Sequence, residues 1–260
     1  MAPVARELGP EVPSTPAALP NNSHTLQSRH VTLEGLHESH IPSLWRNLRL
    51  WENGHLLDYL PMLVPQSEDE LWQRLSKMST ERGFVLYAIK ADPSQVNAGS
   101  KGERNHTEVL GVIAYLNIVP ENREIEVGGV LFGPALQRSA AATEVHYLVL
   151  RNVSEPDSPG LGGSSLPYRR IVWKCDRLNH RSRRAAERLG YVFEGRFRKH
   201  WIVKGRSRDS DFLSIVDDEW PVVKAALEQW LDDGNFDAEG RQVRRLDGIR
   251  EELSRSTAEA

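Results

Sequence analysis

Residues 125–144 contain the residue types and spacing that predict chemistry in this chain. An apolar, largely β-branched run over 125–132 is followed by Gly133-Pro134, by a loop of small residues over 137–142 and by a helical pattern from Thr143. A strand, a turn and a helix start in this order leave backbone N–H groups without partners, and the helix dipole adds partial positive charge there. Small side chains let an anion approach the backbone closely. The segment predicts a phosphate-binding cradle, and an ordinary tight turn is the alternative on this feature alone.

A second pattern begins at Asn179 and ends at Tyr191. Asn179 is a typical N-cap, Ser182 lies in the first turn, and Gly190 is a typical helix stop. Taken alone, this pattern describes a capped amphipathic helix over 179–189. The short strand expected at 170–175 comes immediately before it.

Positive charge is concentrated around this helix. Residues 168–208 contain 14 Lys and Arg but only 3 Asp and Glu, a difference of +11 inside a chain of net charge −3. Such a field attracts a polyanionic cofactor. Two alternatives stay open: the arginines are solvated or pair with acidic neighbours, or the patch contacts RNA or a ribosomal surface.

Glu126 is the first candidate for a general base. A carboxylate in a central strand is out of place unless it faces a cleft or a charged partner, so a structural carboxylate paired with arginine is the alternative. His200 is the second candidate, because imidazole titrates near neutral pH, although a surface histidine is the simpler interpretation. Cys175 has no partner that would activate it, and no His, Cys or Asp cluster has the spacing of a metal site.

Together the two patterns resemble the GNAT superfamily of acetyl-CoA-dependent N-acetyltransferases. The family loop Q/R-x-x-G-x-G/A corresponds to Gln137-Arg138-Ser139-Ala140-Ala141-Ala142, and N-x-x-S-x-x-A-x-x-x-L-G-Y occurs over 179–191. The chain looks most like the RimJ/RimL branch, which acetylates protein N-termini and some small amines. Further matches are Leu50-Trp51, Asp58-Tyr59-Leu60-Pro61, Phe193-Glu194-Gly195 and Lys204-Gly205-Arg206 ahead of Asp209.

The resemblance implies a role for each matching position. The backbone of the loop would hold the pyrophosphate of acetyl-CoA, through Gln137, Arg138, Ser139, Ala140, Ala141, Ala142 and Thr143. Val130 and Leu131 would pair with the pantetheine amides, and Asn179 would bind the same arm. Ser182 would protonate the leaving thiolate. Trp51 and Tyr59 would contact the acceptor amine.

Ala140 departs from the family loop, which has a glycine there. Alanine is costly if the position needs a positive φ and harmless if it is helical. The helical alternative is favoured, because three consecutive alanines are strong helix formers.

The alternation of strand and helix patterns predicts an α+β fold, a GNAT-like mixed and mostly antiparallel sheet flanked by helices. Composition predicts a disordered segment over 1–27, a domain over 28–237 with flexible loops at 92–107 and 154–167, and a polar, helical tail over 238–260. Strands at 84–89 and 109–118 are expected to flank the first loop as a hairpin.

Bulk composition bounds the partners. The net charge of −3 is not that of a typical nucleic-acid-binding protein, so no DNA partner is expected. One cysteine fits a reducing compartment, and neither a signal peptide nor a membrane span is read from the sequence. These features predict a cytoplasmic monomer or homodimer that transfers acetyl from acetyl-CoA to a primary amine. The other hypothesis is a non-catalytic acyl-CoA- or RNA-binding module on the same fold.

Overall fold

The computed structural model describes residues 8–96, 107–156, 158, 161 and 166–258. In chain order the elements are β1 (Leu26–Gln27), β2 (Thr32–Gly35), α1 (Ile41–Leu48), α2 (Leu50–Asn53), α3 (Glu68–Arg82), β3 (Val85–Ala91), β4 (Glu108–Val119), β5 (Glu124–Phe132), α4 (Ala140–Ser154), β6 (Arg170–Asp176), α5 (His180–Leu189), β7 (Val192–Val203), β8 (Arg206–Val216), α6 (Trp220–Leu231) and α7 (Leu246–Ala258). Strands and helices are interspersed along the chain, as the hydrophobic patterns predicted.

The eight strands form one mixed sheet. Their order is β1-β2-β3-β4-β5-β6-β8-β7. All neighbours pair antiparallel except β5 and β6, which are parallel. The predicted hairpin of β3 and β4 is present, with Tyr87 opposite Ile113. The mixed, mostly antiparallel α+β fold predicted from the sequence is confirmed.

The parallel pair opens after three residues. Glu124 to Glu126 of β5 pair with Arg170 to Val172 of β6, and the two strands share no pairs beyond that point. Further along, β5 pairs with β4 through Leu131 and Phe132, whereas β6 continues with β8. A gap therefore forms in the middle of the sheet, where one edge of β5 has no strand partner in the described part of the chain.

Helices cover both faces of the sheet. On one face α4, α5, α6 and α7 bury a core that includes Val145, Leu227 and Ile249. On the other face α1, α2 and α3 bury a second core around Leu44 and Leu71. Apolar residues spaced three and four apart in these helices account for this packing. The two layers hold the central gap between them.

Caps fix the starts of the helices that border the gap. The Ser139 hydroxyl accepts from the Ala142 N–H at the start of α4, and the Asn179 side chain accepts from the Ser182 N–H at the start of α5. Gly190 ends α5 with φ +111°, where a side chain would also collide with Val223. Asn179 and Gly190 thus have the capping roles expected from the sequence.

The prediction of disorder over 1–27 is wrong for its second half. Ala17 donates its N–H to the Pro120 carbonyl, and the Tyr87 hydroxyl donates to the Asn21 carbonyl. Leu26 begins β1 and is buried. This segment has little regular secondary structure, but hydrogen bonds and buried side chains hold it against the domain. Its low hydrophobicity therefore did not indicate disorder.

The C-terminal segment is also more than a polar tail. Its predicted helix is present as α7, and Leu246 and Ile249 are fully buried against the rest of the core. The packed unit therefore continues past residue 237. Positions 97–106 of the first expected flexible loop lie outside the described residues, as do 157, 159–160 and 162–165 of the second. Of the first, Val96 is described and buried, and its carbonyl accepts from the Ala141 N–H.

Candidate functional site

A cleft follows the gap between β5 and β6. One group of residues from both strands, from the start of α5 and from the β7–β8 hairpin forms its polar wall: Glu126, Lys174, Asp176, Asn179, Ser182 and Arg208. The segment after α2 and the helix α3 supply an apolar wall that includes Tyr59, Met62 and Met78. Trp201 contributes a ring on the hairpin side. Polar groups from distant parts of the sequence thus converge on one channel.

The loop 137–142 forms the turn that the sequence predicted. Ala140 is the first residue of α4 and is not among the residues with positive φ. The positive φ falls on Arg138 instead, at +61°. The alanine is therefore compatible with the backbone at the position where the family has glycine, as the helical alternative required.

Two backbone N–H groups of this loop have no acceptor among the described residues. The Ala141 N–H is taken by the Val96 carbonyl and the Ala142 N–H by Ser139. Arg138 and Ala140 have no such bond in the described part of the chain. Since N–H groups at a helix start favour anions, these two donors fit a phosphate oxygen.

The loop 137–142 borders a second cavity, separate from the cleft, with a volume of about 830 Å³. Arginines of α5 line this cavity as well. Arg181, Arg184 and Arg188 form no ion pair within the described residues, whereas Arg183 pairs with both Glu187 and Asp211. Arg188 donates to the Thr143 hydroxyl, and burial lowers its pKa. The +11 stretch therefore divides into paired structural arginines and a set free to meet an anion. Pairing with acidic neighbours, one of the alternatives for this stretch, therefore holds for Arg183 but not for Arg181, Arg184 or Arg188 within the described residues.

Glu126 is buried where the two strands separate. Its carboxylate accepts from Asn117 Nδ2 at 2.6 Å and lies 2.7 Å from Lys174 Nζ. Burial raises the pKa of Glu126, and Lys174 and Asn117 oppose that shift by stabilising the carboxylate. The charged partner is a lysine and not the arginine considered from the sequence. Because Glu126 also lines the cleft, it faces both a partner and the proposed site.

Ser182 lies on the cleft wall with its hydroxyl oriented. Trp173 Nε1 donates to Ser182 Oγ at 3.0 Å, and the Ser182 side chain also hydrogen-bonds the buried Cys175. The Ser182 N–H is capped by Asn179 Oδ1 at 3.1 Å. The Asn179 amide N–H₂ has no acceptor among the described residues and also lines the cleft.

Of the remaining predicted site residues, some line the cleft and others lie outside it. Leu131 lines the cleft, whereas Val130 packs against the core. Tyr59 lines the cleft, whereas the exposed Trp51 packs its ring against Trp45 at 5.3 Å and lies outside that wall. His200 also lies outside the wall.

His200 belongs to an aromatic cluster beside the cleft. Its Nδ1 lies 2.9 Å from Ser210 Oγ, and its ring stacks on Trp201 at 5.0 Å. Burial, together with the charges of Lys174 and Arg208, lowers the pKa of His200. These contacts hold His200 in the aromatic cluster, outside the residues that line the cleft.

Cys175 is buried at the end of β6. Burial raises its pKa to about 11, so the thiol stays protonated near neutral pH. This supports the sequence interpretation that no acyl-cysteine forms.

Sequence reasoning missed four residues that complete the site. Asn117 and Lys174 contact Glu126, Trp173 contacts Ser182, and Arg208 lines the cleft. A lysine in the middle of the strand 170–175 was a signal of the same kind as Glu126, because charged residues are rare in central strands. Among the 14 basic residues of 168–208, however, the sequence does not set this lysine apart.

A sequence model of the family described as Acetyltransferase (GNAT) domain matches residues 30–192. The chain belongs to the GNAT acetyltransferase family. The chain is similar to the solved structure of a GCN5-related N-acetyltransferase from Brucella melitensis, at 32% identity and TM-score 0.77, over 91% of this chain and 98% of that one. It is also similar to a GNAT-family protein from Chromobacterium violaceum ATCC 12472, at 28% identity and TM-score 0.67, over 85% and 100% of the two chains.

The structure of RimL, a ribosomal L7/L12 alpha-N-protein acetyltransferase, shares the fold at 20% identity and TM-score 0.57, covering 76% of this chain and 99% of that one. No curated protein matches the sequence. In the described part of this GNAT chain, no helix has the length and apolar character that crossing a bilayer requires.

Proposed function

We propose that this GNAT protein is an acetyl-CoA-dependent N-acetyltransferase that acts on a primary amine by direct attack in a ternary complex. The observation that carries the proposal is Glu126, a buried carboxylate on the cleft wall at the point where β5 and β6 separate. Helix α5 borders both this cleft, through Ser182, and the arginine-lined cavity, through Arg184. One helix thus connects the acid–base groups to the phosphate donors.

The donor groups of this chain fit acetyl-CoA. The unpaired N–H groups of Arg138 and Ala140, with Arg181, Arg184 and Arg188, would hold its phosphates. The edge of β5 left free by the strand separation, at Val130 and Leu131, and the amide of Asn179 would take the pantetheine arm. When bound, the cofactor supplies an acetyl group activated as a thioester.

Glu126 would accept the proton of the amine. An ammonium ion is not nucleophilic, and a carboxylate whose pKa is raised by burial is a stronger base than an exposed one. The amine nitrogen then bonds to the acetyl carbon as the carbon–sulfur bond breaks. Ser182 Oγ would give a proton to the departing sulfur, with its own orientation fixed by Trp173.

Membership in the RimJ/RimL branch is also a proposal. RimL acts on the N-terminus of a ribosomal protein, and it shares the fold with this chain. The short motifs at 58–61, 193–195 and 204–206 support the branch. The acceptor would then be a protein N-terminus or a small-molecule amine, with Tyr59 on the acceptor side of the cleft.

Two measurements test the proposed function. Isothermal calorimetry is expected to detect acetyl-CoA binding, and thiol release is expected with at least part of a panel of peptides and small amines. Absence of acetyl-CoA binding would overturn the proposal. Binding of acetyl-CoA or RNA without transfer to any amine would identify the non-catalytic module instead.

A further inference from the structure

Arg208 on β8 is a buried charge without a counter-ion. Its relative exposure is 6%, and it lines the cleft. Its one side-chain hydrogen bond in the described residues joins Nε to Ser210 Oγ at 3.2 Å. No carboxylate of the described chain lies within ion-pair distance of it. The two terminal nitrogens of the guanidinium therefore have no protein acceptor there.

The neighbouring carboxylates form no ion pair with Arg208. Arg177 pairs with Asp209, and Arg183 and Arg196 share Asp211. Glu126 pairs with Lys174 at 2.7 Å. Asp176 and Glu126 act on Arg208 only through their fields, and burial lowers the pKa of the guanidinium.

The position of the Arg208 side chain is fixed by a neighbouring ring. Its guanidinium carbon lies 4.8 Å from the centre of the Trp201 ring. The β7–β8 hairpin is also anchored to the segment after α2 by Lys204, whose ammonium donates to the Leu57 carbonyl at 2.6 Å. The terminal nitrogens of this fixed guanidinium are not sealed from the cleft, so a ligand there can supply the acceptor that the protein does not.

The cleft around Arg208 indicates the ligand. Glu126 lies on one side, where the amine would react, and the opposite wall is apolar, with Tyr59, Met78 and Phe84. A planar guanidinium matches a carboxylate through two parallel hydrogen bonds. Lys174 is paired with Glu126, and the other ionisable side chains that line the cleft, Arg82, Asp176 and Arg208, sum to one positive charge.

We propose that Arg208 binds a carboxylate of the acceptor, so that the preferred acceptors are primary amines that carry a carboxylate beside an apolar group. This inference rests on the proposed acetyltransferase function. The carboxylate has two possible sources: a free amino acid, or an acidic side chain next to the N-terminus of a peptide. Both present the same chemistry to the guanidinium.

Matched substrate pairs test the inference. Phenylalanine against phenylalanine amide examines the first source, and the dipeptide amides Ala-Asp and Ala-Asn examine the second. For at least one pair, kcat/KM is expected to favour the carboxylate by about 10- to 100-fold, the size expected of a hydrogen bond between charged groups. In Arg208→Met that ratio is expected to fall close to one, and in Arg208→Lys to an intermediate value.

The comparison of ratios has internal controls. The amine pKa differs within a pair, but that difference cancels because the same pair is measured with both enzymes. Arg206→Met changes an exposed arginine of the same hairpin and is expected to leave the ratio unaltered. Equal preference for the two members of both pairs in the unaltered protein, or an unaltered ratio in Arg208→Met with a native melting temperature, would overturn the inference.

A binding measurement tests the carboxylate site independently of whether the protein transfers acetyl groups. With CoA present, 3-phenylpropionate, a carboxylate without an amine, is expected to bind the unaltered protein and to bind Arg208→Met at least 10-fold more weakly. Equal binding to both proteins contradicts the carboxylate site even if acetyl transfer occurs. Failure of every amine to be acetylated, with the carboxylate binding intact, contradicts the acetyltransferase proposal alone.

Discussion

Lys174 Nζ lies 2.7 Å from the Glu126 carboxylate, in the middle of the sheet and on two strands that run parallel. The ammonium also lies near the rings of Trp201 and Phe212, at 5.7 and 5.4 Å from their centres. The proposed base is therefore buried with a cation that is itself held by aromatic faces. Its protonation depends on the balance between burial, which favours the neutral acid, and Lys174, which favours the carboxylate.

Glu126→Gln is expected to lower kcat by about 10²- to 10⁴-fold, because the amide cannot accept the amine proton. Acetyl-CoA affinity, measured by calorimetry, should be unchanged, since the phosphate donors lie elsewhere. Glu124→Gln is the matched control: it changes a carboxylate two residues earlier on β5 that pairs with Arg170. Equal losses in both variants would argue for a role in strand packing.

Lys174→Met is expected to move the acid limb of the pH–kcat/KM profile to higher pH. The active form of Glu126 is the carboxylate, and Lys174 lowers the pKa of that group. Without the lysine the pKa rises further, so less carboxylate is present near pH 7 and activity recovers as pH increases. Lys199→Met, on the exposed strand β7, is the control. If the acid limb of the Lys174→Met profile does not move, the ionisation that controls activity is not that of Glu126.

Trp173→Phe is expected to reduce kcat several-fold while a stable fold is kept. The indole N–H fixes Ser182 Oγ as an acceptor, so its loss frees the hydroxyl to rotate away from the sulfur. Ser182→Ala should cost more, about 10²-fold, because the proton donor itself is removed. If the phenylalanine variant is the slower of the two, the indole acts through packing instead.

Arg184→Gln is expected to weaken acetyl-CoA binding by about 3- to 10-fold at low salt, with a smaller effect at high salt, since exposed charges are screened. The same variant should bind S-acetyl-pantetheine, which lacks the phosphates, as the unaltered protein does. Arg198→Gln, an exposed arginine on β7, serves as control. Equal loss for both thioesters would contradict a phosphate contact.

His146→Phe is expected to reduce the amount by which the free energy of unfolding falls between pH 6.5 and pH 5. Burial of the imidazole between Phe132 and Trp173 lowers the pKa of His146 to about 3. The unfolded chain binds a proton below its ordinary pKa of about 6.5, whereas the native chain does not, so stability falls by about 1.4 kcal/mol per pH unit on acidification. Urea midpoints of both proteins at the two pH values measure the difference. Identical pH slopes would mean that the native imidazole is charged.

The order of elements and the cradle could be read from the sequence because local signals specify them. Ser139 and Asn179 cap helices through atoms of their own turns, and Gly190 ends α5 through its own backbone conformation. The strand run 125–132 has the apolar pattern of a buried strand. None of these features depends on contacts between distant segments.

The partners inside the cleft could not be read in the same way. Asn117, Lys174 and Arg208 meet Glu126 or its cleft only through the register of four strands, and no local pattern encodes that register. The misjudged N-terminal segment has the same origin. Its Ala17 and Asn21 are ordered by Pro120 and Tyr87, residues that the sequence does not mark as neighbours.

The family match ends at residue 192, yet Phe236, Arg241 and Gln242 form part of the wall of the cavity proposed for the cofactor. A ligand that contacts this wall binds only molecules in which the C-terminal segment is docked, so its binding energy is added to the docking equilibrium. Cofactor concentration would then set how often this end of the chain opens. Resistance of residues 236–258 to proteolysis would then measure cofactor occupancy. Helix α7 would thus respond to a ligand held mainly by residues 132–189.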